Sequence, residues 1–156
     1  MNVQHSITPQ SEKRTDRDLA RKWNSIDWKS VEEFVNRLQT RIAKAVQKEQ
    51  WNLVKRLQYL LTHSYYAKLL AVRTVTRNKG RRTPGTDGET WTSASNKMQS
   101  ALQLTDKQYK SAPLRRIYIP KPGSTTKRPL SIPTMYDRAM QALYARQCPR
   151  MAYFIV

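Results

Sequence analysis

Apolar residues recur at threes and fours from Trp28 onward. Trp28, Val31, Val35, Leu38, Ile42, Ala45 and Val46 fall on one stripe, and Asp27 stands where the cap of the helix they predict belongs. Lys48, Glu49 and Gln50 interrupt the pattern. A second stripe runs through Trp51, Val54, Leu57, Leu61, Tyr65, Leu69 and Val72, widened by Leu53, Leu60 and Leu70. Two amphipathic helices joined by so short a turn predict an αα-hairpin. The second pattern turns basic in VRTVTRNKG and ends at Gly80, a candidate C-cap. A weaker helix over 91–104 places Trp91, Ala94, Met98, Ala101 and Leu102 inward. Residues 1–22 are polar and unpatterned and read as a flexible lead-in.

Further along, the period changes from helical to alternating. Residues 116–119 set Ile117 and Ile119 on one face and Arg116 and Tyr118 on the other, and residues 128–132 answer with Leu130 and Ile132. Between them KPGSTTK turns the chain at Pro122 and Gly123, so the stretch predicts a β-hairpin. Thr134, then Asp137 three residues on, precede the apolar run Met140, Ala142 and Leu143, the outline of a capping box at the head of a helix. The expected fold class is therefore α+β and predominantly helical: an N-terminal αα-hairpin, a further short helix, then a basic β-hairpin leading into a helix. The chain divides into a lead-in (1–22), a helical domain (23–104), the hairpin with its helix (105–147) and a divergent tail (148–156).

Charge sharpens this picture. The 156 residues carry a net charge of +18, and only +1 of it falls in residues 1–27, against +6 in 28–75 and +11 in 76–156. A chain this basic is suited to a polyanionic partner, whose encounter its field accelerates. The hairpin tip holds Lys121, Lys127 and Arg128 with no acidic residue beside them. Upstream, GRRTPGTDG (80–88) combines Arg81 and Arg82 with Pro84, Gly85 and Gly88, a tight loop in which both glycines permit positive φ and Asp87 forms an Asx turn. Cys148 is the single cysteine, so no internal disulfide is possible and an intracellular, cytoplasmic setting is expected. His5 and His63 are isolated, which argues against zinc. With no run of eighteen apolar residues, no membrane partner is expected.

The series IPKP, a polar turn and KRPLSIPTMYDRAMQAL resembles the opening fingers segment of group II intron reverse transcriptases (intron maturases). The resemblance extends through GRRTPGTDG, SYYAKLLAVRTVTRNKG at 64–80 and WNSIDWKSVEEFVNRLQTRIAKA at 23–45, so it covers roughly 23–145 in one co-linear order. It implies an N-terminal domain followed by incomplete fingers. It further implies that Lys121 and Arg128 grip the triphosphate of an incoming nucleotide, chemistry that suits an ammonium point charge and a guanidinium fork. Arg116, with Tyr118, would meet the template, and Lys127 is a further RNA-binding candidate. The N-terminal helices would bind intron RNA through phosphate contacts, with Arg37, Arg41, Lys44, Lys55, Arg56, Lys68, Arg73, Arg77, Arg81 and Arg82 as candidates.

The resemblance also bears on catalysis. Polymerisation needs convergent carboxylates holding metal ions, and the resemblance places these aspartates in palm segments beyond Val156. The C-terminal half offers Asp87, Glu89, Asp106 and Asp137, none of them paired. No catalytic residue, metal ligand or cofactor is therefore expected in this chain, and Mg2+ belongs to the full-length enzyme. ARQCPRMAYFIV departs from the family pattern in the way a shifted frame or early stop would produce. The expected partners are RNA (intron and template), DNA as a second nucleic acid, and palm and thumb segments if these are encoded separately. Two other readings are a free-standing RNA-binding or chaperone protein and a non-functional remnant of a mobile element. No helix-turn-helix spacing supports duplex DNA binding.

Overall fold

A computed structural model describes residues 9–123 and 125–148 of the chain. What the sequence suggested for His5 and for most of the tail from 148 lies outside the described residues. Those residues form six helices and one two-stranded antiparallel sheet: α1 (Pro9–Asn24), α2 (Trp28–Gln47), α3 (Trp51–His63), α4 (Tyr65–Arg77), α5 (Ala94–Gln103), β1 (Arg115–Pro120), β2 (Lys127–Ile132) and α6 (Met135–Ala145). The architecture is α+β and predominantly helical, as the patterning predicts.

α2 forms as expected. Asp27 accepts hydrogen bonds from the Lys29 amide and the Ser30 hydroxyl, and the Ser30 bond is the main reason its carboxyl sits below the usual carboxylate range. Val31, Val35, Leu38, Ile42 and Ala45 are buried along one face. The chain reverses at Glu49, held at φ 54°, and α3 folds back on α2 as the predicted αα-hairpin.

The expected second helix is two helices. Ser64 leaves the helical region at φ −70°, ψ 137°, and its hydroxyl donates to the Leu61 carbonyl while accepting from the Ala67 amide. A serine side chain that competes with the backbone in this way ends one helix and caps the next. The redirected α4 becomes the centre of the fold. Ala67, Leu69, Leu70, Ala71, Val72 and Val75 are all buried, and α4 packs on α2, α3, α5 and α6. It ends at Arg77 with Asn78 as its cap, so Gly80 is not a C-cap but lies in a single 3-10 turn, Lys79–Arg82.

Four further expectations change. Residues 1–22 carry no pattern and read as a flexible lead-in, yet from Pro9 the chain is α1, which packs along α5, and Trp23 near its end joins the core. The α3 residues Trp51, Leu53 and Leu60 are exposed, as is Tyr65, because the break leaves α3 presenting Val54, Leu57, Leu61 and Thr62 inward. On α5, Leu102 faces solvent, and Leu104, just past the helix end, is buried in its place. Gly88 adopts positive φ, whereas Gly85 does not. Among the described residues no helix is long and apolar enough to cross a membrane.

Candidate nucleic-acid interface

The hairpin pairs Ile117 with Leu130, Ile119 with Arg128 and Arg115 with Ile132, and the Lys121 amide continues the ladder by donating to the Thr126 carbonyl at 3.1 Å. Residues opposite one another in an antiparallel pair share a face. Lys121 and Arg128 therefore lie on the same face as Ile117, Ile119 and Leu130. Arg116, Tyr118 and Lys127 lie on the other. Gly123 makes the turn at φ 73°. Lys121, Lys127, Arg128 and Arg116 are all exposed, and the strands pack chiefly on each other, so the tip stands clear of the helical body.

The base of the hairpin is fixed where three segments meet. At the head of α6, Thr134 accepts from the Asp137 amide at 3.1 Å and donates its hydroxyl to the Asp137 carboxylate at 2.8 Å. That carboxylate does not complete a capping box on its own backbone. It accepts instead from the Tyr109 hydroxyl and the Ala112 amide, tying the 105–112 linker to α6 while buried to 3% exposure. Its negative charge in the first turn is favoured by the helix dipole.

One residue later, Arg138 is a cation in that same turn, where the dipole disfavours it. It is held from the other side, donating to the carbonyls of Pro133, Gly80 and Thr83 at 3.0, 3.0 and 2.8 Å. The GRRTPGTDG loop is thereby stapled onto α6. Its Gly85 is pressed against the Thr134 backbone, Arg115 donates to the Pro84 carbonyl, and Thr86 donates to that of Pro113. Arg81 and Arg82 are left exposed beside the hairpin base. The Asx turn expected of Asp87 is present, closed by the Glu89 amide at 3.2 Å.

Burial, followed by the bond to Asp137, pushes the Tyr109 phenol up to about 12 from an ordinary value of 10.0. A raised folded-state value means that the phenol's contribution to stability is complete below about pH 10 and is lost as pH rises toward about 12. Alkaline unfolding followed by circular dichroism should show this loss, and Tyr109→Phe should remove that part of the pH dependence. An unchanged alkaline limb in the variant would contradict it.

The helical candidates are scattered. Arg37, Arg41 and Lys44 are exposed on α2, and Lys55 and Arg56 are exposed on α3. Lys68 is half-buried. Arg73 is half-buried too, pairs with Glu32 and lies over the Trp28 ring at 4.4 Å. Arg77 is exposed at the end of α4 and shares a groove with Arg73 and Arg146. Sequence reading passed over Arg138 and Arg146, although an arginine in the first turn of a helix was a usable signal. His63 is not isolated: it faces Asp106 at 3.4 Å, and Asp106 also accepts from Tyr144. Among the described residues no group of three or more His, Cys, Asp or Glu is placed to hold a metal ion.

Comparison with known proteins fits this arrangement. A family model described as the N-terminal domain of reverse transcriptase matches residues 23–104. Protein YkfC of Escherichia coli (strain K12) is 31% identical over 113 residues, 69% of this chain and 29% of that protein. The chain spans less than a third of the length of that curated relative. The match over 23–104 takes in α2 to α5, the helical body from which the hairpin projects, and the chain belongs to the family of reverse transcriptase N-terminal domains.

Proposed function

We propose that the chain is the RNA-binding front portion of a group II intron reverse transcriptase and maturase. In this reading the N-terminal helices hold intron RNA by its phosphates, and the hairpin meets template and incoming nucleotide. In the full-length enzyme the carboxylates and Mg2+ for polymerisation belong to the palm, and this portion contributes binding. The observation that carries the reading is the hairpin register, which sets Lys121 and Arg128 on one face at an unobstructed tip. A lysine and an arginine so placed can take one polyphosphate between them.

A salt titration of binding to a structured intron-type RNA tests it. With four or more phosphate contacts, log affinity should fall against log salt with a slope of about −3 or steeper, since each contact adds about −0.7 on single strands. Lys121→Ala combined with Arg128→Ala should shallow that slope by about 1.4. A nearly flat salt response would sink the RNA-binding reading. If the hairpin pair has no effect while Arg37→Ala with Arg41→Ala shallows the slope, a free-standing RNA-binding role replaces the fingers role.

A further inference from the structure

We propose that the groove between α2, α4 and the end of α6 is an oxyanion site that takes a phosphate group. The open groove has a volume of about 280 Å³ and is lined by Glu32, Asn36, Arg73, Thr74, Arg77 and Arg146, together with Leu70. Glu32 is already neutralised by Arg73, which the Trp28 ring holds in place as a wall of the groove. Arg77 and Arg146 remain, and among the described residues neither has an ion-pair partner.

Arg146 carries the argument. One terminal nitrogen donates to the Leu70 carbonyl at 3.3 Å and to the Thr74 hydroxyl at 2.7 Å, while the buried Nε donor has no hydrogen-bond partner among the described residues. Burial pulls the guanidinium below its ordinary value, the sign of a cation that has lost water and gained too little in return. Buried charges and buried donors in folded proteins are ordinarily matched. Here the backbone around Arg146 is deliberately held: Gln39 of α2 donates to the Arg146 carbonyl at 2.9 Å and Gln58 of α3 donates to that of Gln147 at 3.5 Å. The Glu32 carboxylate offsets only part of the burial cost of Arg146 and is itself paired with Arg73, so a fixed guanidinium short of counter-charge, with a second arginine at the rim and an amide from Asn36, fits a tetrahedral oxyanion. Phosphate is the matching chemistry, either as a phosphodiester of an RNA backbone or as a free phosphate group.

The RNA source rests on the proposed function; the site itself does not. Arginine Nε–H resonances of the full chain, followed by NMR during titration with inorganic phosphate, read the site directly. The expected result is a saturable shift of the Arg146 signal that chloride at equal ionic strength does not reproduce. Arg77→Ala, a rim change that leaves the core intact, should weaken phosphate about tenfold while the thermal midpoint holds. A phosphate response no different from chloride overturns the proposal. If RNA lacking terminal phosphates displaces inorganic phosphate, the backbone is the source; if it binds without displacing it, the site serves a free phosphate group. Phosphate saturation with no RNA binding at all would sink the proposed function and leave the site standing.

Discussion

Replacing Asp137 by alanine should destabilise the chain by about 4 kcal/mol, because the change strips acceptors from several donors at a buried position. The hydroxyls of Tyr109 and Thr134 and the amide of Ala112 all converge on this carboxylate. Thr134 would still cap the Asp137 amide, so α6 survives, but the linker loses its anchor. Asp137→Asn should cost about half as much, since one amide oxygen can still accept while the NH₂ faces donors it cannot satisfy. Urea unfolding would measure both. Limited trypsin digestion would separate the two consequences, with cleavage after Lys107 and Lys110 appearing under native conditions in the alanine variant. A loss below about 1 kcal/mol would mean that the linker is not held by this carboxylate.

Gly85→Ala should be nearly as damaging, at about 3 kcal/mol. A Cβ at this position would sit 2.6 Å from the Thr134 Cα and 2.8 Å from its amide nitrogen, backbone atoms that cannot rotate aside. The loop must lift off the head of α6, breaking the Arg138 bonds to the Gly80 and Thr83 carbonyls as it goes. For a chain of this size the thermal midpoint should drop by roughly 6–12 °C. Gly88→Ala is the informative control. It has positive φ and open space around its Cα, so strain alone should cost about 1 kcal/mol. Equal effects at the two glycines would remove the docking argument and leave only turn geometry.

These two positions also mark where sequence reading succeeded and where it stopped. The α2 stripe, the Asp27 cap, the hairpin and the Thr134 cap were legible because each is encoded within a few residues by period or by side-chain chemistry. Gly85 was recognised as special but for the wrong reason. Positive φ is a local property, whereas the approach of Thr134 comes from 49 positions downstream and has no local signature.

The Ser64 break was masked for a related reason. Tyr65, Leu69 and Val72 keep time with the preceding stripe, so the apolar period runs straight through a residue whose hydroxyl redirects the chain. The same continuity counted Trp51 and Leu60 as core. Arg146 and, apart from its place in a first helical turn, Arg138 were hidden for the opposite reason. Each reads as one more exposed cation in a basic chain, and only the folded chain shows what the guanidinium nitrogens reach.

The hairpin leaves a consequence of its own. Two strands that pack chiefly on each other, with no third strand in their sheet among the described residues, sit near the limit of independent order. Whatever the tip grips must therefore supply the free energy that stills it, and that share is missing from the affinity. A grip of this kind is weak and short-lived. Under the proposed function it would favour turnover over retention, and tight, lasting attachment to RNA would fall to the helical body behind it.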